Sequence, residues 1–545
     1  MKRLNLFALS LLSAFLLSVA WPVSGYAITI FIALVPLLLL EEKISLESKS
    51  KSGRLVFAYS YLSFFCWNIY TTWWIYNASG GGAAMAILAN SLLMAVVFTA
   101  FHFVRRRGQY GYLSLFCFWI AFEYLHLNWD LSWPWLNLGN VFSMHPNWVQ
   151  WYEYTGALGG SLWVLFANVL AFQLFQHYRN AASKAVLRSS AIKFLLMILV
   201  PLLLSNLILK SAKEIDFKQK VDVVVVQPNI DPYNEKFNGM SDEDQLKKLL
   251  QLASTKVDST TDYLIAPETA IAGNCWEHRL DKAPQLQLLH NYLKRYPHLN
   301  LVIGASTAKV YENGEVVSST ARKFTQEDAY FDSYNTALQL DSSQSIQLYH
   351  KSKLVPGVEK IPFPALFKPF EKLAINLGGT TGSLGIQDTR TVFYNKDSSL
   401  GIAPVICYES IYGEFVGDYI KNGANLIFII TNDGWWGDTP GYRQHLTFAS
   451  LRAIETRRYI ARSANTGTSA IINPLGEISN QTAYWQEAVF KAEIYPSNAQ
   501  TFYVRYGDYL GKAAAVISGL LILMLILGRF LPGRMEGDGD ANSIL

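Results

Sequence analysis

Seven apolar stretches crowd the first 210 residues, at 4–21, 27–41, 55–76, 83–104, 112–127, 158–178 and 192–210, and an eighth follows at 513–532. A helix takes about 20 mostly apolar residues to cross the hydrocarbon core, where each backbone N–H and C=O must be paired within the chain. The pattern predicts an α-helical transmembrane bundle of about eight spans, seven of them in 1–210 and the last in 506–545 with a cytoplasmic tail. The stretch at 27–41 is short for a span, and 112–127 carries Glu123 and His126, which read as helix-end groups rather than functional charges in lipid. Residues 1–27 also have the layout of a secretory signal, with Lys2 and Arg3 ahead of an apolar core and small residues near Ala27. That core is long for a signal and further spans follow at once, which favours a retained helix.

Charge orients the set. Lys43, Lys49, Lys51 and Arg54 follow the second stretch, Arg105, Arg106 and Arg107 the fourth, and Arg179, Lys184, Arg188 and Lys193 the sixth. The connections between these contain no Lys or Arg, so the basic ones belong in the cytoplasm. Seven crossings then export residues 211–505, and the eighth returns Arg529 and Arg534 to the cytoplasm. Only 16% of the residues are charged, against about a quarter in an ordinary soluble chain. A formal net charge of +4, confined to loops, gives no ground for a nucleic-acid partner.

The exported part changes character. Strand-like runs at 221–227, 262–267, 300–306, 335–340, 345–351, 400–408, 425–433 and 468–474 alternate with helix-like ones near 241–257, 284–296, 411–422 and 442–462. Several runs are apolar throughout, as in strands buried on both faces, and the alternation predicts a layered α/β domain. Three strands end on reactive groups: LIAPE on Glu268, IQLYHK on Lys351 and APVICYE on Cys407. In such domains strand ends collect functional residues. A carboxylate can take the proton of a thiol, and an ammonium can hold the thiolate and then an oxyanion. Ordinary surface charges are the competing reading. Cys407 could also pair with Cys275 on the oxidising side, whereas Cys66 and Cys117 lie within spans.

LIAPET, YHKSKLVP, PVICYES and TNDGWWG resemble the Glu–Lys–Cys signature of the nitrilase, or carbon–nitrogen hydrolase, superfamily. Together with the spans and the SWPWLNLG loop, the whole chain resembles the apolipoprotein N-acyltransferase family. The resemblance implies an αββα sandwich with Glu268 as base, Lys351 as oxyanion stabiliser and Cys407 as nucleophile. Lys353 competes with Lys351, since residues two apart share one strand face. Glu359 corresponds to an auxiliary catalytic glutamate, although the chain reads VPGVE where the family commonly has VPFGE. Phe237 stands where a tryptophan is common. Tyr408 and Glu409 are expected to shape the oxyanion turn and orient Lys351, or to form a structural pair. In the N-D-x-W-x-G turn, Asn432 and Asp433 would brace the pocket, Trp435 would wall it, and Gly437 would supply a positive φ.

By this resemblance Cys407 takes a fatty acyl chain from a membrane phospholipid as a thioester. It then passes the chain to the N-terminal amine of a diacylglyceryl-cysteine lipoprotein, with ping-pong kinetics. The family works in the bacterial inner membrane with its catalytic domain in the periplasm. No cofactor is implied, and the histidines show no metal-ligand spacing. A membrane-tethered amidase or nitrilase and a non-catalytic lipid or lipoprotein scaffold are the alternatives. The aromatic loop 128–157, with Trp129, Trp133, Trp135, Trp148, Trp151, Tyr152 and Tyr154, reads as an interfacial belt, part of which could line an acyl entrance. Residues 361–379 suit either a lipid-dipping lid or core packing. Arg443, Arg452, Arg457, Arg458 and Arg462 are expected on one helix, solvated or ion-paired. His445 has no spacing that supports a Cys–His pair.

Overall fold

The computed structural model describes residues 3–527 apart from 24, 48–49, 108–109, 213–218, 237–238, 313, 344 and 364–382. Helices stand at all the expected spans: Arg3–Ala20, Val35–Glu47, Ser52–Thr72, Gly80–Arg105, Leu113–His126, Tyr152–Arg179, Lys184–Ala212 and Tyr509–Leu527. Among the described residues, four helices are long and apolar enough to cross a membrane: Gly80–Arg105, Tyr152–Arg179, Lys184–Ser211 and Tyr509–Leu527. The second stretch is broken, with a 3-10 turn over Ala27–Phe31 before the helix that starts at Val35. Pro36 suits that start, because a first-turn N–H has no partner to lose. On Lys184–Ser211, Leu195, Val200, Leu203 and Leu207 face outward and exposed. An apolar face of this length is stable against lipid, not water. Glu123 is buried, accepting from Trp119 Nε1 at 3.0 Å and from the Leu138 amide at 2.8 Å, so it braces the loop that follows its helix.

Beyond the bundle the chain folds into two sheets. The first runs Ala488–Ile494, Val221–Gln227, Tyr263–Ile265, Asn300–Val310, Tyr330–Leu340 and Arg322–Lys323; Ile271–Trp276 also pairs with Asn300–Val310, and Ile346–His350 with Tyr330–Leu340. The second runs Ile478–Ser479, Ala470–Ile472, Ile460–Ala464, Leu426–Thr431, Gly401–Ile406 and Phe393–Tyr394. Strand alternation divides the first sheet's side chains between two cores. Val221, Val223, Val225, Tyr263 and Ile265 share a core with the second sheet, where the Tyr263 ring meets Phe428 at 5.2 Å. Val224, Val226, Leu264, Leu301 and Ile303 pack instead on the helices Asp242–Ala253 and Pro284–Leu293. Gly413–Lys421 and Pro440–Thr456 pack on the second sheet, which completes a helix–sheet–sheet–helix sandwich.

Two corrections concern this domain. The helix expected over 442–462 ends at Thr456, where Arg457 turns left-handed at φ 52°, and Ile460–Ala464 is a strand. The buried charge of Arg462 in that strand disguises it in the sequence. The strands Ile271–Trp276 and Ala488–Ile494 were not expected, since neither carries a sustained apolar run.

Part of the aromatic loop is packed inside the protein rather than on an interfacial belt. Trp135, Trp151 and Tyr152 are buried within protein, and Trp135 is wedged between the bundle and the sandwich, donating through Nε1 to Gln444 at 2.7 Å. Tyr154 remains exposed.

Candidate active site

Gly401–Ile406, Leu426–Thr431 and Ile460–Ala464 are parallel, so Cys407 and the Asn432–Asp433 turn emerge at the same sheet edge. Glu268 follows Tyr263–Ile265 in the facing sheet, and Lys351 follows Ile346–His350. Lys351 extends the pairing by one residue, its amide donating to the Asn335 carbonyl at 2.8 Å. This sets its side chain among the acids. Lys351 Nζ lies 3.0 Å from Glu268 Oε1 and 2.8 Å from Glu359 Oε1. Asn335 Nδ2 donates to the same two oxygens, at 2.8 and 3.2 Å.

Burial alone would raise the pKa of Glu268, but the Lys351 ammonium, the Asn335 hydrogen bond and the charge of Lys236 together hold the carboxyl below its ordinary value. Lys351 itself is held well above its ordinary range: burial opposes its charge, and the two carboxylates more than offset that. Cys407 is pushed far up, first by burial and then by the charge of Glu268, with Lys351 pulling the other way. The resting site is therefore a neutral thiol beside an ionised carboxylate.

Lys353 lies elsewhere. Its Nζ donates to the Leu127 carbonyl at 3.0 Å and sits 4.8 Å from the Tyr412 ring centroid. The VPGVE departure is accommodated by Gly357 at φ 80°, which lets the loop curl back so that Glu359 reaches Lys351 with one oxygen and the Val355 amide with the other, at 2.9 Å. Glu409 is wholly buried and ties the strand end bearing Lys351 to the one bearing Cys407. It accepts from Tyr349 Oη and the Ser352 amide, both at 2.7 Å, and from the Ile406 amide at 2.9 Å. All three partners are donors, so the amide N–H₂ of a glutamine would face one of them. We expect Glu409→Gln to cost about 2 kcal/mol, read as a lower melting temperature in detergent.

Tyr408 points to the bundle, its hydroxyl donating to the Ser132 carbonyl at 2.8 Å. Asn432 Oδ1 accepts from Asn465 and Thr466, both at 3.3 Å. Trp435 meets the Tyr233 ring at 5.3 Å, while its neighbour Trp436 packs on Trp74 and Trp135 at 4.9 and 5.7 Å. Gly437 has φ 67°. Phe237 and the greater part of 361–379 lie outside the described residues. Cys275 and Cys407 are both free thiols, and Cys275 is buried in the outer core of the first sheet.

Two polar residues here have no recognisable sequence signal. Asn335 sits inside an ordinary strand run, and only the pairing of Tyr330–Leu340 with Ile346–His350 sets it beside Lys351. Lys236 is buried, donating to the Glu268 carbonyl at 3.1 Å and Thr269 Oγ1 at 2.7 Å, and burial brings its pKa down to about 8.

Beside the site runs a largely apolar groove with about 510 Å³ of empty space, part of it open to solvent. Met85, Ala86 and Ala89 of the helix Gly80–Arg105 line one side, and Trp133, Val355 and Val358 the other.

A two-sheet sandwich that gathers an acid and an amine at the strand ends of one sheet and a thiol at the facing edge of the other defines the carbon–nitrogen hydrolase class. The family model described as carbon-nitrogen hydrolase matches residues 222–503, and one described as the apolipoprotein N-acyltransferase N-terminal domain matches 13–170. The apolipoprotein N-acyltransferase of Chlorobaculum tepidum is 30% identical over 531 residues, covering 95% of this chain and 96% of its own. That of Geobacter metallireducens is 27% identical, covering 94% and 95%. This chain belongs to the apolipoprotein N-acyltransferase family.

Proposed function

We propose that the protein moves a fatty acyl chain from a membrane phospholipid to the N-terminal amine of a diacylated lipoprotein, by way of a thioester on Cys407. The observation that carries this reading is a buried Glu268–Lys351–Glu359 cluster whose Glu359 loop, through Val355 and Val358, lines a groove walled on its other side by an apolar, membrane-length helix. A soluble amidase has no use for that wall. An acyl donor that lives in a bilayer does.

In the first half-reaction the sulfur attacks the ester carbonyl while its proton passes to Glu268. A C–S bond forms, and Lys351 and backbone N–H groups at the start of the turn Cys407–Ile411 hold the oxyanion. The C–O bond then breaks, and Glu268 returns the proton to the departing lysophospholipid oxygen. In the second, the lipoprotein amine attacks the thioester and gives its proton to Glu268. An amide forms, the C–S bond breaks, and the sulfur is reprotonated. Splitting the transfer this way gives ping-pong kinetics. Glu359 keeps Lys351 in place through both halves. In this reading the domain lies on the periplasmic side of the inner membrane, with eight spans and domains at 1–210, 211–505 and 506–545, which the charge asymmetry of the loops supports.

The test is incubation of protein-containing membranes with acyl-labelled phospholipid and a diacylated lipopeptide. Label on the lipopeptide amine is the expected result. Free fatty acid as the main product would make the protein a hydrolase, and the absence of any covalent intermediate would make it a scaffold.

A further inference from the structure

Glu268 and Lys351 serve the sulfur of Cys407, but its main chain is gripped by residues that the mechanism above leaves unused. Cys407 has φ 49°, a left-handed conformation that a residue with a Cβ keeps only where its surroundings hold it. Its carbonyl accepts from Ser410 Oγ at 2.7 Å and lies 3.1 Å from His445 Nε2. Nε2 also lies 2.9 Å from Ser410 Oγ; that hydroxyl gives its one proton to the carbonyl, so both oxygens face Nε2 as acceptors and Nε2 carries the proton. The other ring nitrogen, Nδ1, lies 3.0 Å from Asp433 Oδ1 and 3.1 Å from Arg462 Nη2. With the proton on Nε2, Nδ1 of the neutral ring accepts from Arg462, and Nδ1 donates to Asp433 only in the doubly protonated ring; Nε2–H faces the carbonyl in both. Asp433 in turn pairs with Arg462 at 2.6 Å and accepts from Thr431 Oγ1 at 2.9 Å. One buried carboxylate thus reaches the Cys407 carbonyl through His445. The rings of Trp436 and Trp135, at 5.5 and 5.9 Å, fix the imidazole plane.

We propose that His445, oriented by Asp433 and Arg462, is a positioning residue that holds the Cys407 main chain in its left-handed turn and so aims the sulfur. The proposal rests on Cys407 being the nucleophile. His445 does not take the thiol's proton; it acts through the backbone. It therefore contributes to the rate of acylation and not to lipid binding.

The experiment measures acyl uptake on Cys407 by intact mass, using full-length protein and a mixture of phosphatidylethanolamine and phosphatidylglycerol without acceptor amine. His445→Gln places an amide N–H where Nε2–H stands, whereas the amide of His445→Asn falls short of it. We expect His445→Asn to slow acylation about 100-fold at unchanged half-saturating lipid, with most of that loss recovered in His445→Gln. Equal rates in the two variants, or a rise in half-saturating lipid in place of the rate loss, would overturn the proposal. Should His445→Asn fail to fold, Asp433→Asn carries the test. It also removes a charge that opposes the thiolate, so slower acylation supports positioning and faster acylation overturns it. Wild-type protein that takes up no acyl group on Cys407 would sink the nucleophile reading, and this proposal with it.

Discussion

Cys407→Ala is expected to lose both the acyl-enzyme and the product, a fall on the order of 10⁵-fold in turnover. The sulfur is the attacking atom, and the remaining groups of the site can only assist an attack that no longer happens. Folding should survive, because the side chain removed is small and its charged neighbours keep each other's company through Lys351. The backbone adds a sharper test. Alanine at φ 49° keeps the strain that cysteine has, whereas Cys407→Gly relieves it, by about 1–2 kcal/mol. The glycine variant should therefore melt above the alanine variant, and both should be inactive. Turnover surviving in either would remove Cys407 from the mechanism. A glycine variant melting below the alanine one would mean that the turn is not strained.

The strand ends that carry Glu268, Lys351 and Cys407 could be read directly, because apolar runs buried on both faces stand out and their polar last residues stand out more. The choice between Lys351 and Lys353 could not. The two lie on one strand face in an ideal extension, and the Ser352 amide bonding to Glu409 bends the chain so that Lys353 turns to Leu127 and the Tyr412 ring instead. Asn335, Lys236 and the pairing of Asp433 with His445 and Arg462 were illegible for a common reason. Each acts through partners supplied by another strand or by the facing sheet, and register between strands leaves no mark on local spacing. Arg462 misleads most: a charged residue in a buried strand reads as a solvated helix position until its carboxylate partner is known. The aromatic loop erred in the opposite direction. Its composition suits a membrane interface, yet Trp135 is enclosed between two parts of the same chain, a burial that composition does not encode.

Lys351→Met should be the most damaging change to the site after loss of the sulfur, because one ammonium serves two carboxylates. Its loss leaves Glu268 and Glu359 facing each other in a buried pocket, with Asn335 and the main-chain contact of Lys236 as poor substitutes. Breaking a buried pair from one side costs about 3–5 kcal/mol. The pH dependence of stability should also change sign. In the wild type Glu268 titrates below its unfolded value of about 4.3, so its contribution is present above that pH and is lost as the pH falls through the lower, folded value. Without Lys351, burial becomes the dominant influence and the folded value rises above about 4.3. The folded variant then binds more protons than the unfolded chain, and its stability falls as the pH is raised from about 4 toward 7. Melting in detergent across that range should slope upward for the wild type at its acid end and downward for Lys351→Met. Activity should fall by at least about 10³-fold, since the oxyanion loses its cation and a protonated Glu268 is no longer a base. A variant that melts with the wild-type pH profile would place Lys351 outside the electrostatic centre of the site. One that turns over within tenfold of wild type would assign oxyanion stabilisation to other groups.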